Sequence, residues 1–387
     1  MYHGVDYYDL DEWLTEEEIM VRDTVREWVS DRVIPHIEEY FREGHFPMEL
    51  VPEIAGLGLF GATLSEEEGG AGLSCTAYGL MMQELERGDS GIRSFASVQN
   101  ALVIFPIKTW GSEEQKDYWI PQLVKAEKIG AFGLTEPDYG SNPSGMITHA
   151  VKTDGGYILN GAKMWITNSP IADVLVIWAK LDGVVSGFLV EKGWKGVSCP
   201  ETKGKWSLRA SVTGEIILDD VFVPETHRLP NANGIKCPLS CLSQARFGIA
   251  WGVLGAAMAC YTSSVEYAKT RVQWGKPIGG FQMVQERLVK MLTEITKGQF
   301  LVYRLGQLKD QDKVTFQQIS LAKRNNCEIA LEIARIARDI HGANGISDEY
   351  PIMRHMMNLE SVYTYEGTHS MHTLIVGSDI TGLQAYM

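Results

Sequence analysis

The chain has 387 residues, 45% hydrophobic and 22% charged, a balance that fits a large folded protein and excludes disordered, collagen-like and coiled-coil chains. At ~150 residues per domain there is room for two or three domains. With 35 basic against 49 acidic side chains the formal charge is −14, and no basic stretch offsets it, which excludes nucleic acid as a default partner.

The N-terminus, MYHGVDYYDLDEWLTEEE, has neither a signal nor a transit pattern, so the expected location is cytoplasmic, or the mitochondrial matrix for a processed chain. Thr15 and Glu18 form a capping box ahead of Val21, Val25, Trp28 and Val29 at helical spacing, and Pro35 ends or bends that helix. A second amphipathic segment runs from Met48 to Leu59, before the cluster Gly69-Gly70-Ala71-Gly72. Helix resumes over Cys75–Arg87 and Ser94–Lys108, and Ser112 with Gln115 caps another that ends near Leu123.

The texture changes near Gly130. Short apolar runs such as Val174-Leu175-Val176-Ile177-Trp178 and Glu215-Ile216-Ile217-Leu218 alternate with turn signals at Asp154-Gly155-Gly156 and Asn160-Gly161, as in a small barrel or sandwich. Helix returns after Leu239. The apolar run Phe247–Cys260 is shorter than the ~20 residues of a membrane span and reads as a buried core helix, so no membrane span is expected. Thr315 and Gln318 cap a long helix whose face carries Ile319, Ala322, Ile329, Ala330, Ile333, Ala334, Ala337 and Ile340. The expected fold class is α+β: an N-terminal helical domain (1–129), a middle β-barrel or sandwich domain (130–238) and a C-terminal four-helix bundle (239–387).

The six cysteines include no CxxC and read as reduced thiols. Cys237 and Cys241 lack a second ligand pair, and His369 and His372 read as helix-surface histidines, so no metal is expected. No GxGxxG, Walker A, GxSxG or HExxH occurs, which argues against Rossmann, P-loop, serine-hydrolase and zinc-protease chemistry. Glu366 stands beside Gly367 at a break between helical segments. From the residues alone it is either a solvated helix-end carboxylate or one projecting into a cleft. Likewise Trp165 reads as a core aromatic, and Arg246 as either a bundle ion-pair residue or a ligand cation.

Four segments together resemble the acyl-CoA dehydrogenase family: FGLTEPDYGSNPSG (Phe132–Gly145), GAKMWITN (Gly161–Asn168), RVQWGKPIGGFQMVQ (Arg271–Gln285) and TYEGTH (Thr364–His369). Within the family, ELERGDSGIRS (Glu84–Ser94), QARFGIAWGVLGA (Gln244–Ala256), the stretch His341–His369 and the ending ITGLQA are most similar to the glutaryl-CoA dehydrogenases. Two positions depart from the family pattern: Asn142 where Asp is usual and Trp274 where Phe is usual.

The resemblance implies FAD as cofactor and Glu366 as the base that removes the proton α to a CoA thioester, with the Glu366 amide binding the thioester oxygen. It implies FAD contacts from Phe132, Leu134, Thr135, Gly140, Ser141, Trp165, Ile166, Thr167, Asp339, Gly342, Ala343 and Thr368, with Arg271 and Gln282 reaching FAD from a neighbouring subunit of a homotetramer. It places Ser141, Ser243, Arg246 and Gly367 along the acyl-CoA, and Glu86, Arg93, Ser94 and Tyr365 at the far carboxylate of a dicarboxylic acyl group. An unpaired buried carboxylate is costly, so such a substrate needs a cation there. The implied reaction is oxidation of glutaryl-CoA with loss of CO₂ to crotonyl-CoA, electrons passing to electron-transferring flavoprotein. The alternatives are a short-chain or branched acyl-CoA dehydrogenase, a non-decarboxylating glutaryl-CoA dehydrogenase, an oxidase of the same fold or a catalytically silent scaffold.

Overall fold

A computed structural model describes residues 2–385; Met1, Tyr386 and Met387, at the ends of the expected outer domains, lie outside the described residues. The first part is helical: α1 (Glu16–Trp28), α2 (Ile37–Glu43), α3 (Val51–Gly56), α4 (Cys75–Gly88), α5 (Ser90–Ser97), α6 (Phe105–Trp110) and α7 (Glu113–Val124). Both capping boxes form as read, with Thr15 and Ser112 accepting the third helical amide of α1 and α7 and Glu18 and Gln115 accepting the cap amide.

The helix expected from Ser94 differs. It starts earlier, at Ser90, because the Asp89 carboxylate accepts the Gly91 N–H at 2.6 Å. Between α5 and α6, residues Val98–Ile104 widen into a π-helical turn in which the Phe105 N–H reaches back to Asn100. Pro106, with no N–H to give, follows directly.

The middle part is one seven-stranded sheet: β1 (Gly130–Gly133), β2 (His149–Thr153), β3 (Gly156–Thr167), β4 (Val174–Leu181), β5 (Val184–Glu191), β6 (Val197–Ser198) and β7 (Thr213–Pro224). The order is β1-β4-β2-β3-β7-β6, with β5 paired to β4. Strand β4 reads as an unbroken apolar run because both its faces are covered. Val174, Val176 and Trp178 join the helical core, while Leu175, Ile177 and Ala179 join a second core with Phe188, Val190 and Leu218. Asp154-Gly155 makes the β2–β3 turn, but Asn160-Gly161 does not turn the chain. It lies inside β3 at a register irregularity against β7, where the Asn160 side chain bonds Asp220 across the sheet at 2.9 Å and Gly161 adopts φ +148.

The last part comprises α8 (Lys236–Thr270), a small hairpin of β8 (Val272–Gln273) and β9 (Lys276–Pro277), then α9 (Gln282–Asp310), α10 (Phe316–Ile340), α11 (Ile352–Thr364) and α12 (His369–Thr381). The Thr315–Gln318 box caps α10. By length and composition α8 would reach across a bilayer, yet residues 247–258 are buried as α8 packs against α4, α9 and α10. Two glycines permit the α4–α8 approach. A Cβ at Gly255 would strike the Gln83 carbonyl, and one at Gly252 would strike the Glu86 carboxylate. This crossing sets the depth of the site described next.

Candidate active site

The turn between α11 and α12 carries Tyr365, Glu366, Gly367 and Thr368. Glu366 adopts φ +51 and Gly367 φ +95. A left-handed conformation at a glutamate persists only where its surroundings enforce it. Here they do: the carbonyls of Tyr365 and Gly367 accept from Lys323 Nζ at 3.0 and 2.9 Å, and that of Glu366 accepts from Arg246 Nε at 2.7 Å. Thr368 Oγ1 accepts the Met371 N–H at 3.1 Å, capping α12. Glu366 is part-exposed as a residue, but its Oε2 is buried and has no hydrogen-bond partner. Burial pushes its carboxyl above the ordinary value, with Arg93, Arg246 and Lys323 pulling the other way. A carboxylate so placed is equipped to take a proton from a bound ligand.

Beside it lies a fully buried polar cluster from α4 and α5. Arg93 Nε bonds Glu86 Oε2 at 2.6 Å, Ser90 Oγ donates to Glu86 Oε1 at 2.8 Å, and Arg93 Nη2 donates to the Tyr365 hydroxyl. Ser94 Oγ lies 3.1 Å from that same hydroxyl. Burial opposes the Arg93 charge, but Glu86 and Tyr365 outweigh it and hold the guanidinium firmly protonated. The pair is therefore no surface salt bridge: both side chains are at most 1% exposed. Arg93 Nη1 and both Nη atoms of Arg246 have no protein acceptor among the described residues. Three cations, Arg93, Arg246 and Lys323, face two carboxylates, Glu86 and Glu366, so positive charge is in excess even with Glu366 ionised. Ser243 sits one turn before Arg246 on α8, bonded to Leu239.

A second group of predicted residues gathers on β1, β3 and their loops. Phe132 and Leu134 are buried at the end of β1, and the Met164 N–H bonds Thr135 O at 2.9 Å, joining the two segments. The buried ion pair of Lys163 and Glu136 (2.8 Å) fixes this corner: Lys163 also holds Leu134 O, and Glu136 accepts the Ile147 and Thr148 amides. Gly140 and Ser141 lie exposed on the loop so anchored.

Trp165 departs from the core reading. An irregularity in β3 pairing between Lys163 and Ile166 turns it outward at φ +61, and it is 58% exposed while Ile166 points in. The hydroxyls of Thr135 and Thr167 have no protein partner among the described residues. A flat, uncovered indole on a strand that also carries Thr167 and is bonded next door to Thr135 fits the face of a planar heterocycle.

The remaining predicted residues form a separate group. Arg271 ends α8 and Gln282 begins α9, both exposed around the β8–β9 hairpin. Gly342 and Ala343 are exposed after α10, and Asp339 pairs with Arg287 at 2.8 Å. The stack of Tyr267 on His341 (4.4 Å) ties the ends of α8 and α10 together. No hydrogen bond among the described residues joins this group to Trp165 or Glu366.

Several site residues escaped the sequence reading. Lys323 lies on the same face of α10 as Ile319, Ala322 and Ala330, where a lysine among buried positions was the available signal. Tyr78 on α4 and Ser97, one helical turn after Arg93, place two buried hydroxyls close to one another beside the cluster. The two histidines read as surface residues separate. His369 is part-exposed against Tyr363, whereas His372 is 0% exposed beside Gly367, because α10 packs over that side of α12.

The geometry meets an independent line of evidence in known proteins. The family descriptions "Acyl-CoA dehydrogenase, N-terminal domain", "middle domain" and "C-terminal domain" match residues 15–127, 131–221 and 232–381. A crystal structure of glutaryl-CoA dehydrogenase from Mycobacterium smegmatis is 49% identical, covers 98% of each chain and superposes with a TM-score of 0.96. A glutaryl-CoA dehydrogenase of that organism in complex with FADH2 is 46% identical over 100% of both chains, at a TM-score of 0.98. Butyryl-CoA dehydrogenase from Megasphaera elsdenii is 33% identical, covers 95% of this chain and 98% of its own, and has a TM-score of 0.91. With its helical, β and helical parts in the family's order and all three family descriptions matched, the chain belongs to the acyl-CoA dehydrogenase family.

Proposed function

We propose that the protein is an FAD-dependent acyl-CoA dehydrogenase that acts on glutaryl-CoA and releases crotonyl-CoA and CO₂. The observation that carries the substrate class is the buried Glu86–Arg93–Tyr365 cluster beside Glu366, which leaves Arg93 Nη1 without a protein acceptor among the described residues. An apolar acyl chain has no use for a desolvated cation, whereas a far carboxylate compensates it. The similarity to M. smegmatis glutaryl-CoA dehydrogenase, 49% against 33% for the butyryl-CoA enzyme, supports the same reading.

Trp165, Thr135, Thr167 and the neighbouring loop residues would hold FAD, which when bound would supply a two-electron acceptor for the β-hydrogen and its bonding pair. Glu366 takes the α-proton. Its N–H has no protein acceptor among the described residues and is free for the thioester oxygen, which lowers the cost of the negative charge that develops there. Arg93 anchors the far carboxylate and so places the α- and β-carbons opposite Glu366 and Trp165. When that carboxyl group leaves as CO₂, its electron pair stays on the substrate, and the γ-carbon needs a proton to become the methyl of crotonyl-CoA. The proton stored on Glu366 meets that need. Electron-transferring flavoprotein is the proposed oxidant of the reduced enzyme. A homotetramer is the proposed assembly, in which a neighbour would bring Arg271 and Gln282 to the cofactor that Trp165 faces.

The test is a product assay on the purified yellow protein with glutaryl-, butyryl- and isobutyryl-CoA and an artificial acceptor. Crotonyl-CoA and an equimolar yield of CO₂ from glutaryl-CoA are expected. Glutaconyl-CoA without CO₂, or a preference for butyryl-CoA, would refute the substrate reading.

A further inference from the structure

Lys323 is 1% exposed and has no carboxylate within ion-pair distance among the described residues. A buried, unpaired ammonium is costly, so its hydrogen bonds must repay much of that cost. Both go to one place: the carbonyls of Tyr365 (3.0 Å) and Gly367 (2.9 Å), on either side of Glu366. In a trans peptide the C=O and the following N–H point in opposite directions. Holding the Tyr365 carbonyl against α10 therefore aims the Glu366 N–H away from α10, and that N–H has no protein acceptor among the described residues. Arg246 fixes the carbonyl in between at 2.7 Å, so three consecutive peptide units are oriented by two buried cations.

We propose that Lys323 is a positioning residue for the proton transfer, acting through the Tyr365–Gly367 backbone to hold both the amide and the carboxylate of Glu366 toward the acyl group. This rests on Glu366 being the base. As an ammonium Lys323 also adds charge to the surroundings of that base; burial lowers its pKa, while Cys327 and Glu366 favour the charged form. Facing Glu366 are Tyr78 from α4, Arg93 from α5, Arg246 from α8 and Lys323 from α10, with Cys327 behind it; His372 from α12 packs on Gly367.

The test uses acetyl-CoA, which has no β-carbon and so isolates the base from the redox step. Exchange of its methyl protons with D₂O is followed by NMR across pH on the FAD-loaded enzyme, together with its dissociation constant. For Lys323→Gln, binding within about threefold of the parent, exchange slower by at least about tenfold near neutral pH, and an acidic limb moved up by about one pH unit are expected. A merely structural role would lower the rate without moving the limb. Lys323→Arg, which keeps the charge and the donors, should leave the limb in place; a limb displaced upward in this variant would overturn the proposal even if Lys323→Gln failed to fold. Parent-like exchange and limb in Lys323→Gln, with exchange lost in Glu366→Gln, would overturn the role of Lys323 alone. Exchange retained in Glu366→Gln would overturn the assignment of the base and this inference with it.

Discussion

The Arg93 guanidinium donates to the hydroxyl of Tyr365, the residue immediately before Glu366, and so ties the buried Glu86–Arg93 pair to the turn that carries Glu366. On the proposed function, selection of the substrate and placement of the base share one side chain. Replacing Arg93 by Gln strands the Glu86 carboxylate in the core and removes the cation for a far carboxylate. Loss of one partner of a buried, hydrogen-bonded charge pair costs ~2–5 kcal/mol, so kcat/KM for glutaryl-CoA should fall by about 10²-fold or more. Butyryl-CoA, lacking that carboxylate, should lose under about tenfold. Steady-state rates on both thioesters with one preparation decide the matter, and equal losses would count against the assignment.

Glu366 offers a prediction about both rate and stability. Its folded-state carboxyl is raised chiefly by burial. As the proposed base, Glu366 would work only when ionised, so kcat/KM should climb with pH along a limb lying above the ordinary carboxylate value of about 4.3. In the window between that value and the raised one, the folded chain binds a proton that the unfolded chain has released. Stability therefore falls as pH rises through the window, and at neutral pH the ionised group is a net cost. Glu366→Gln should keep the yellow colour, lose flavin reduction by substrate, and melt at the same or a higher temperature near neutral pH. The advantage should vanish at low pH. A lower Tm at neutral pH with a parent-like Tm in acid would contradict this.

The three helix starts at Thr15, Ser112 and Thr315 were legible because a capping box is a local device whose partners lie three residues apart. The apolar run of β4 was legible because its buried residues are contiguous in the chain, both faces of the strand being covered. Asn160-Gly161 was misread because a turn and a bulge ask the same of their residues, and only the pairing with β7 separates them. Trp165 and His372 moved in opposite directions, one out of the core and one into it. In both cases a distant element decides: the β3 irregularity turns Trp165 outward, and α10 covers His372. The Glu86–Arg93 pair spans seven residues across the break at Asp89, so helical spacing alone did not reveal it, and it entered through resemblance.

His372 makes the fold sensitive to acid. Burial, with Lys323 and Arg246 nearby, drives its pKa from 6.5 down to about 2. As pH falls below 6.5 the unfolded chain takes up a proton that the folded chain refuses, so stability declines toward acid. The buried His355, also held well below its ordinary value, adds to the slope. Replacing His372 by Gln should flatten the pH dependence of unfolding free energy between about pH 6 and 4 by up to ~1.4 kcal/mol per pH unit. Urea midpoints across that range measure it, and an unchanged slope would show that His372 titrates alike in both states.

Gly252 links the helix crossing to the chemistry. It stands on α8 where a Cβ would overlap the Glu86 carboxylate and come within 3.2 Å of Arg93 Nε. Neither side chain can yield, because each is buried and fixed by the other, by Ser90 and by Tyr365. Gly252→Ala would ordinarily gain about 1 kcal/mol in a helix interior. Here overpacking costs ~1–3 kcal/mol, and a displaced ion pair costs more, so net destabilisation is expected despite the better helix former. The displaced Arg93 should also lower glutaryl-CoA turnover more than butyryl-CoA turnover. Thermal unfolding and the two assays on Gly252→Ala test both halves, and a stabilised variant with unaltered substrate preference would show that α4 and α8 are not packed as closely as described.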